Sequence, residues 1–160
     1  MATKRSAGIL LHRDRDGGIE FLLVHPGGPY WTKKDLGAWS IPKGQIEGDE
    51  EPRACAIREL GEELGPAPAL EPAELTPLGS IRQRSGKVVE AWAAAANFDP
   101  AALASNAFTM EWPPRSGNEE EFPEVDRAEW FAPTTAREKI IAAQAEFLDR
   151  LLEQLGLARP

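Results

Sequence analysis

Cysteine is nearly missing from this 160-residue chain: Cys55 stands alone, which excludes an internal disulfide. Long apolar runs are missing too, since none approaches the roughly 18 residues that a membrane span requires. The opening stretch "MATKRSAGILLHRD" has a short apolar segment followed directly by a histidine and charges, which does not fit a secretory leader. Basic charge is in short supply as well. Eighteen Lys and Arg against 26 Asp and Glu give a formal net charge of −8, which argues against non-specific nucleic-acid binding and against an anionic membrane surface. A small polyanion reached through a cation stays allowed. No internal repeat is visible. With 42% hydrophobic residues the chain is long enough for a real core, and residues 1–160 are read as one cytoplasmic domain.

What the chain does contain is a regular alternation of short elements. Ser6–Arg13 and Ile19–His25 are apolar runs of strand length separated by "DRDGG", an Asp-Gly hairpin signal. His25–Trp39 is rich in Gly and Pro and reads as an irregular loop into a short strand "WSIP". Thr76–Phe98 reads as two strands around "RSGK", and Arg127–Pro133 as a closing strand. Between them, "DPAALASNAFTMEWPPRSGNEEEFPEVD" has little periodicity and many breakers, the signature of a long loop. Thr135 and Glu138 have capping-box spacing. They open a terminal helix with Ile140, Ile141, Phe147, Leu148, Leu151, Leu152 and Leu155 on its apolar stripe. Strands with one helix in mid-chain and one at the end predict an α+β fold, a mixed sheet covered on both faces.

The mid-chain helix carries the chemistry. Pro52 suits a first helical turn, Asp49 or Glu51 suits the N-terminus, and Gly65 followed by Pro66 ends the run, so a helix from about Glu51 to Leu64 is expected. At about 100° per residue, Glu59, Glu62 and Glu63 share one arc of about 100°, with Ala54, Ile57, Leu60, Gly61 and Leu64 opposite. One face is apolar and the other acidic. An acidic face is ordinarily a solvated one, but like charges at i,i+3 and i,i+4 repel, and no Lys or Arg lies four residues beyond either glutamate to relieve them. Hard carboxylate oxygens on a rigid helix suit Mg²⁺ or Mn²⁺, ions that keep coordination positions open for water and phosphate. Cys55, four residues before Glu59, is too soft a ligand for such an ion and is read as packing.

The residues Gly44, Glu50 and Arg58-Glu59-Leu60-Gly61-Glu62-Glu63-Leu64-Gly65 reproduce the spacing of a known signature, and in this the chain resembles the Nudix hydrolase family. Seven fixed positions at about 7% each match by chance on the order of 10⁻⁶ per chain of this length. Pro66 departs from the family, which has an aliphatic residue there. The resemblance implies an α/β/α sandwich and metal-dependent hydrolysis of a nucleoside diphosphate linked to another group. It implies Glu59, Glu62 and Glu63 as ligands of Mg²⁺ or Mn²⁺, with a backbone carbonyl from Lys43 or Gly44. Glu62 or Glu63 is the expected base, and Arg58 and Glu50 are expected to orient the cluster by ion pairing. A fourth carboxylate is expected from "NEEEFPEVD": Glu124 first, because it lies six residues before Trp130 in a Pro-Glu context similar to RNA-pyrophosphohydrolase members, and Glu121 second.

"SIPKG" is similar to members acting on dinucleoside or diphosphoinositol polyphosphates, so Lys43 is expected to bind a long phosphate chain, helped by Arg82 and Lys87 and more weakly by Arg84, Lys33 and Lys34. Tyr30, Trp31, Trp39 and Trp112 are candidates for stacking on a base. The partner implied is a small phosphate-anhydride substrate. The competing expectations are a housecleaning hydrolase of nucleoside triphosphates or nucleotide sugars, and a binding or regulatory module without turnover.

Overall fold

Asp16 and Gly17 both adopt positive φ, 53° and 81°. That is the backbone of a two-residue hairpin turn whose twist matches its strands. The turn joins β1 (Arg5–Arg15) to β2 (Gly18–Pro26), paired antiparallel from His12–Phe21 to Arg15–Gly18. The computed structural model describes residues 4–160, so residues 1–3 of the opening stretch weighed above as a leader lie outside it. The elements that follow are β3 (Lys43–Gln45), α1 (Pro52–Leu64), β4 (Thr76–Arg82), β5 (Val88–Ala95), β6 (Ala107–Glu111), β7 (Glu119–Pro123), β8 (Val125–Phe131), α2 (Pro133–Lys139) and α3 (Ala145–Gln154).

The main sheet runs β4-β5-β1-β2-β8, with β3 beside β1. The β1–β5 ladder is parallel and the others antiparallel, so the sheet is mixed. Opposite β5, β1 pairs with β3 through Ser6–Gly8 and with β2 through His12–Arg15. The sheet therefore forks, and a cleft opens between the two prongs. Alternate side chains go to opposite faces. Ala7, Ile9, Leu11, Leu22 and Val24 pack with Leu60 and Leu64 of α1, whereas Leu10, Phe21 and Leu23 pack with Phe147, Leu148, Leu151 and Leu152 of α3. The result is the expected α/β/α sandwich. Among the described residues no helix is long and apolar enough to cross a membrane.

Several expectations are corrected. "WSIP" forms only isolated bridges, Val24–Ser40 and Trp39–Ile140, and the ladder begins at Lys43. The stretch expected to be a loop holds a second, two-stranded sheet, β6–β7, in which Phe108 faces Phe122. The terminal helix is two helices, because Ile140 leaves helical geometry (ψ 149°) to pair with Trp39, whose amide and carbonyl bond Lys139 O and Ile141 N. The Thr135–Glu138 cap does not form: α2 starts at Pro133 behind Ala132, without a side-chain cap. Leu155 is 44% exposed and lies past the end of α3.

Candidate active site

Helix α1 is set by its ends. The Glu51 side chain accepts the Ala54 N–H at 3.0 Å, Pro52 occupies the first turn, and Gly65 at φ 83° closes the last turn with its N–H on Gly61 O. Its buried face is turned from the one expected: Cys55, Ala56, Glu59, Leu60 and Leu64 face inward, while Ala54 is exposed. Glu59, read as part of an outward acidic face, is 8% exposed. It lies against Gly44, where a Cβ would sit 1.9 Å from its carboxylate carbon, so only glycine leaves room for it. The Cys55 thiol points at the carbonyls of Gly44 and Gln45, and burial pushes its pKa up to about 12, which leaves it inert packing.

Arg58 supplies the relief that the sequence spacing did not reveal. Its Nη1 donates to Glu59 Oε1 and to Glu62 Oε2, each at 2.9 Å. Its Nε and Nη2 clasp both oxygens of Glu50 at 2.7 and 2.9 Å. These hydrogen bonds bring the Glu50 carboxyl down to about 2. Glu63 accepts the Lys43 N–H at 3.1 Å. Burial, reinforced by Glu59 and Glu124 and opposed by Lys43, pushes Glu63 up to about 8. Burial and then Glu62 raise Glu59, and the same two causes raise Glu124, so the four carboxylates sense one another.

Glu124, at the entrance to β8, thus joins the α1 carboxylates from across the cleft, and with Lys43, Glu63 and Trp31 it lines a cavity of about 190 Å³. Glu121 is exposed in β7, opposite Thr109. Burial and the facing ammonium of Lys87 lower the Lys43 pKa, against the pull of Glu63 and Glu59. Arg82 folds back instead, its Nη1 bonding Gly86 O on its own hairpin. Of the aromatic candidates, Trp39 is fully buried and Trp112 packs edge-on against Tyr30. Trp31 lines the cleft, 39% exposed, with Lys34 Nζ 4.8 Å from its ring centre. A larger depression of about 660 Å³ lies at the other end of β8, but its Arg13 is already engaged by Glu20, Asn97 and the Trp130 ring.

The donor set suits a hard divalent ion: carboxylate oxygens from two sides, with proton affinities raised by crowding and burial that a cation would reverse. Among the described residues the side chains do not already stand in metal-ligating geometry, because Arg58 and the Lys43 amide hold three of them. Two fully buried residues that carried no sequence signal also border the site. His25 lies behind the cleft, hydrogen-bonded to Asp126, and Gln144 accepts the Ile41 N–H at 3.0 Å behind the Pro42–Lys43 turn. Both are lone polar residues within apolar or helical surroundings, where no spacing marks them.

The chain belongs to the NUDIX domain family, whose model matches residues 2–151. It resembles an RNA pyrophosphohydrolase of Roseobacter denitrificans, with 50% identity over 36 residues. That match covers 22% of this chain and 22% of the relative. Among solved structures, a C. elegans Ap4A hydrolase binary complex is similar at TM-score 0.65 and 21% identity, covering 94% of this chain and 98% of that one. The NUDIX domain of Shewanella oneidensis NrtR, complexed with ADP ribose, is similar at TM-score 0.66 and 17% identity, covering 97% and 90%. At these identities the two structures speak for the fold.

Proposed function

We propose that this chain hydrolyses a pyrophosphate bond in a nucleotide-derived substrate, and that a dinucleoside polyphosphate is the favoured form. The observation that carries this reading is the convergence of Glu59, Glu62, Glu63 and Glu124 on a cleft that also holds Lys43. Glu59, Glu62, Glu63, Glu124 and the Gly44 carbonyl would hold Mg²⁺ or Mn²⁺, which would neutralise phosphate charge and lower the pKa of a bound water. Arg58, braced by Glu50, holds Glu59 and Glu62 at fixed positions beside the site. Glu63, the more buried of the two, is the base candidate beside Glu62. Lys43 and Lys87 offer charge to the outer phosphates, and Trp31 offers an aromatic wall to a base.

The deciding experiment assays dinucleoside polyphosphates, diphosphoinositol polyphosphates, nucleotide sugars and nucleoside triphosphates with Mg²⁺ and with Mn²⁺. Turnover concentrated in the dinucleoside polyphosphates is expected. Faster turnover of triphosphates or nucleotide sugars replaces that substrate class, and no turnover of any with either metal overturns the hydrolase reading in favour of a binding module. Lys43→Ala should raise KM about tenfold for tetraphosphate-bridged substrates and much less for diphosphate-bridged ones, since only the longer chain carries the extra charge. An equal loss on both reduces Lys43 to shaping the loop.

A further inference from the structure

His25 has no exposed surface, yet both ring nitrogens are engaged. Nδ1 lies 2.7 Å from Asp126 Oδ1 and Nε2 lies 2.6 Å from the Lys34 carbonyl oxygen. Trp39 packs edge-on to the ring at 5.2 Å. The partners belong to the two segments that wall the cleft. Lys34 comes three residues after Trp31 on the loop leaving β2, and Asp126 comes two residues after Glu124. A second tie runs alongside: the Gly27 N–H donates to Glu124 O at 2.9 Å, next to the irregularity in pairing between His25 and Pro26. At Gly27 a Cβ would lie 1.9 Å from Pro123 O, so backbone meets backbone there.

We propose that His25 is a positioning residue that fixes the Trp31 wall and the Glu124 carboxylate in one frame, so that the part of the cleft that receives the substrate and the part that receives the cation keep their spacing. This rests on the reading of the cleft given above. The ring hydrogen-bonds both segments at once, which a core-filling residue at the same place would not do. Its removal frees the loop on one side through Lys34 and the β8 entrance on the other through Asp126.

The test compares His25→Ala and Asp126→Ala in the full chain, with Leu148→Ala as a core variant that lowers stability without touching either segment. The first readout needs no turnover: acrylamide quenching of the Trp31 emission, taken as the difference from the same protein carrying Trp31→Phe. His25→Ala should raise that quenching about twofold, because the loop opens locally, while Asp126→Ala and Leu148→Ala leave it near the starting value. The second readout is Mn²⁺ affinity by electron paramagnetic resonance. His25→Ala and Asp126→Ala should each weaken it about tenfold, the usual size of an outer-shell loss, and Leu148→Ala should not.

Unchanged Trp31 quenching and Mn²⁺ affinity in folded His25→Ala overturn the proposal, as do changes of the same size in Leu148→Ala. Where His25→Ala does not fold, His25→Gln takes its place for the loop arm, and Asp126→Ala decides the cation arm alone. Absence of turnover in the unaltered protein counts against the hydrolase reading only, since neither readout uses it.

Discussion

At the scale of single residues, the site depends on the room left for each carboxylate and on the guanidinium that holds two of them. Gly44 stands in the motif, yet only the structure gives its purpose, which is room for the Glu59 carboxylate. Gly44→Ala should therefore displace Glu59 and weaken Mn²⁺ binding and activity about tenfold, with little change in the urea midpoint, because the atom in the way ends a flexible side chain. Unchanged Mn²⁺ affinity would show that Glu59 finds the site from elsewhere. Glu63→Gln should cut turnover at least about a hundredfold while the melting temperature of the metal-free protein stays level or rises, since it removes a buried acid crowded by Glu59 and Glu124. Near-normal kcat would remove Glu63 from the chemistry. Arg58 illustrates what spacing hides: no Lys or Arg lies four residues beyond the glutamates, and the cation that relieves them sits four residues before Glu62.

At the scale of elements, legibility followed how local the causes are. The Asp16-Gly17 turn and the ends of α1 are fixed by neighbouring residues, and both could be read directly. The strands β6 and β7 bury little beyond Phe108, Met110 and Phe122, so their alternation is faint amid exposed glutamates. The break between α2 and α3 is written in Trp39, a hundred residues earlier, whose backbone takes the place of helical partners. The rotation of α1 has the same origin: Gly44 of β3 leaves the room into which Glu59 turns inward, and no helical wheel contains it. Leu60 anchors that orientation at 1% exposure against Ala7, Ile9 and Leu22. Leu60→Ala should cost about 2–5 kcal/mol in urea unfolding, and a loss under about 1 kcal/mol would mean the helix re-seats.

At the scale of the whole molecule, acid stability has an identifiable contributor in β1. Burial lowers the His12 pKa, partly offset by Asp14, so the folded chain binds that proton more weakly than the unfolded chain does. The associated stability is fully present above the unfolded value of about 6.5 and is lost as pH falls through the folded one. His12→Gln should flatten the fall in unfolding free energy as pH drops below about 6.5, and an unaltered slope would assign the fall to other groups. The forked sheet also sets a schedule for synthesis. β1 carries Ile9, Leu10 and Leu11, yet its parallel partner begins at Val88, paired with Arg5, and its other edge awaits Lys43. At roughly 5–20 residues per second, the ribosome leaves that apolar strand without its parallel neighbour for on the order of 4–17 s, a long wait beside hairpin closure in microseconds. The antiparallel hairpin with β2 can close at once, but half of β1 has no early partner. The last pairing that β1 can complete is therefore the non-local closure of β5 onto it, and until then its apolar edge is open to misassembly.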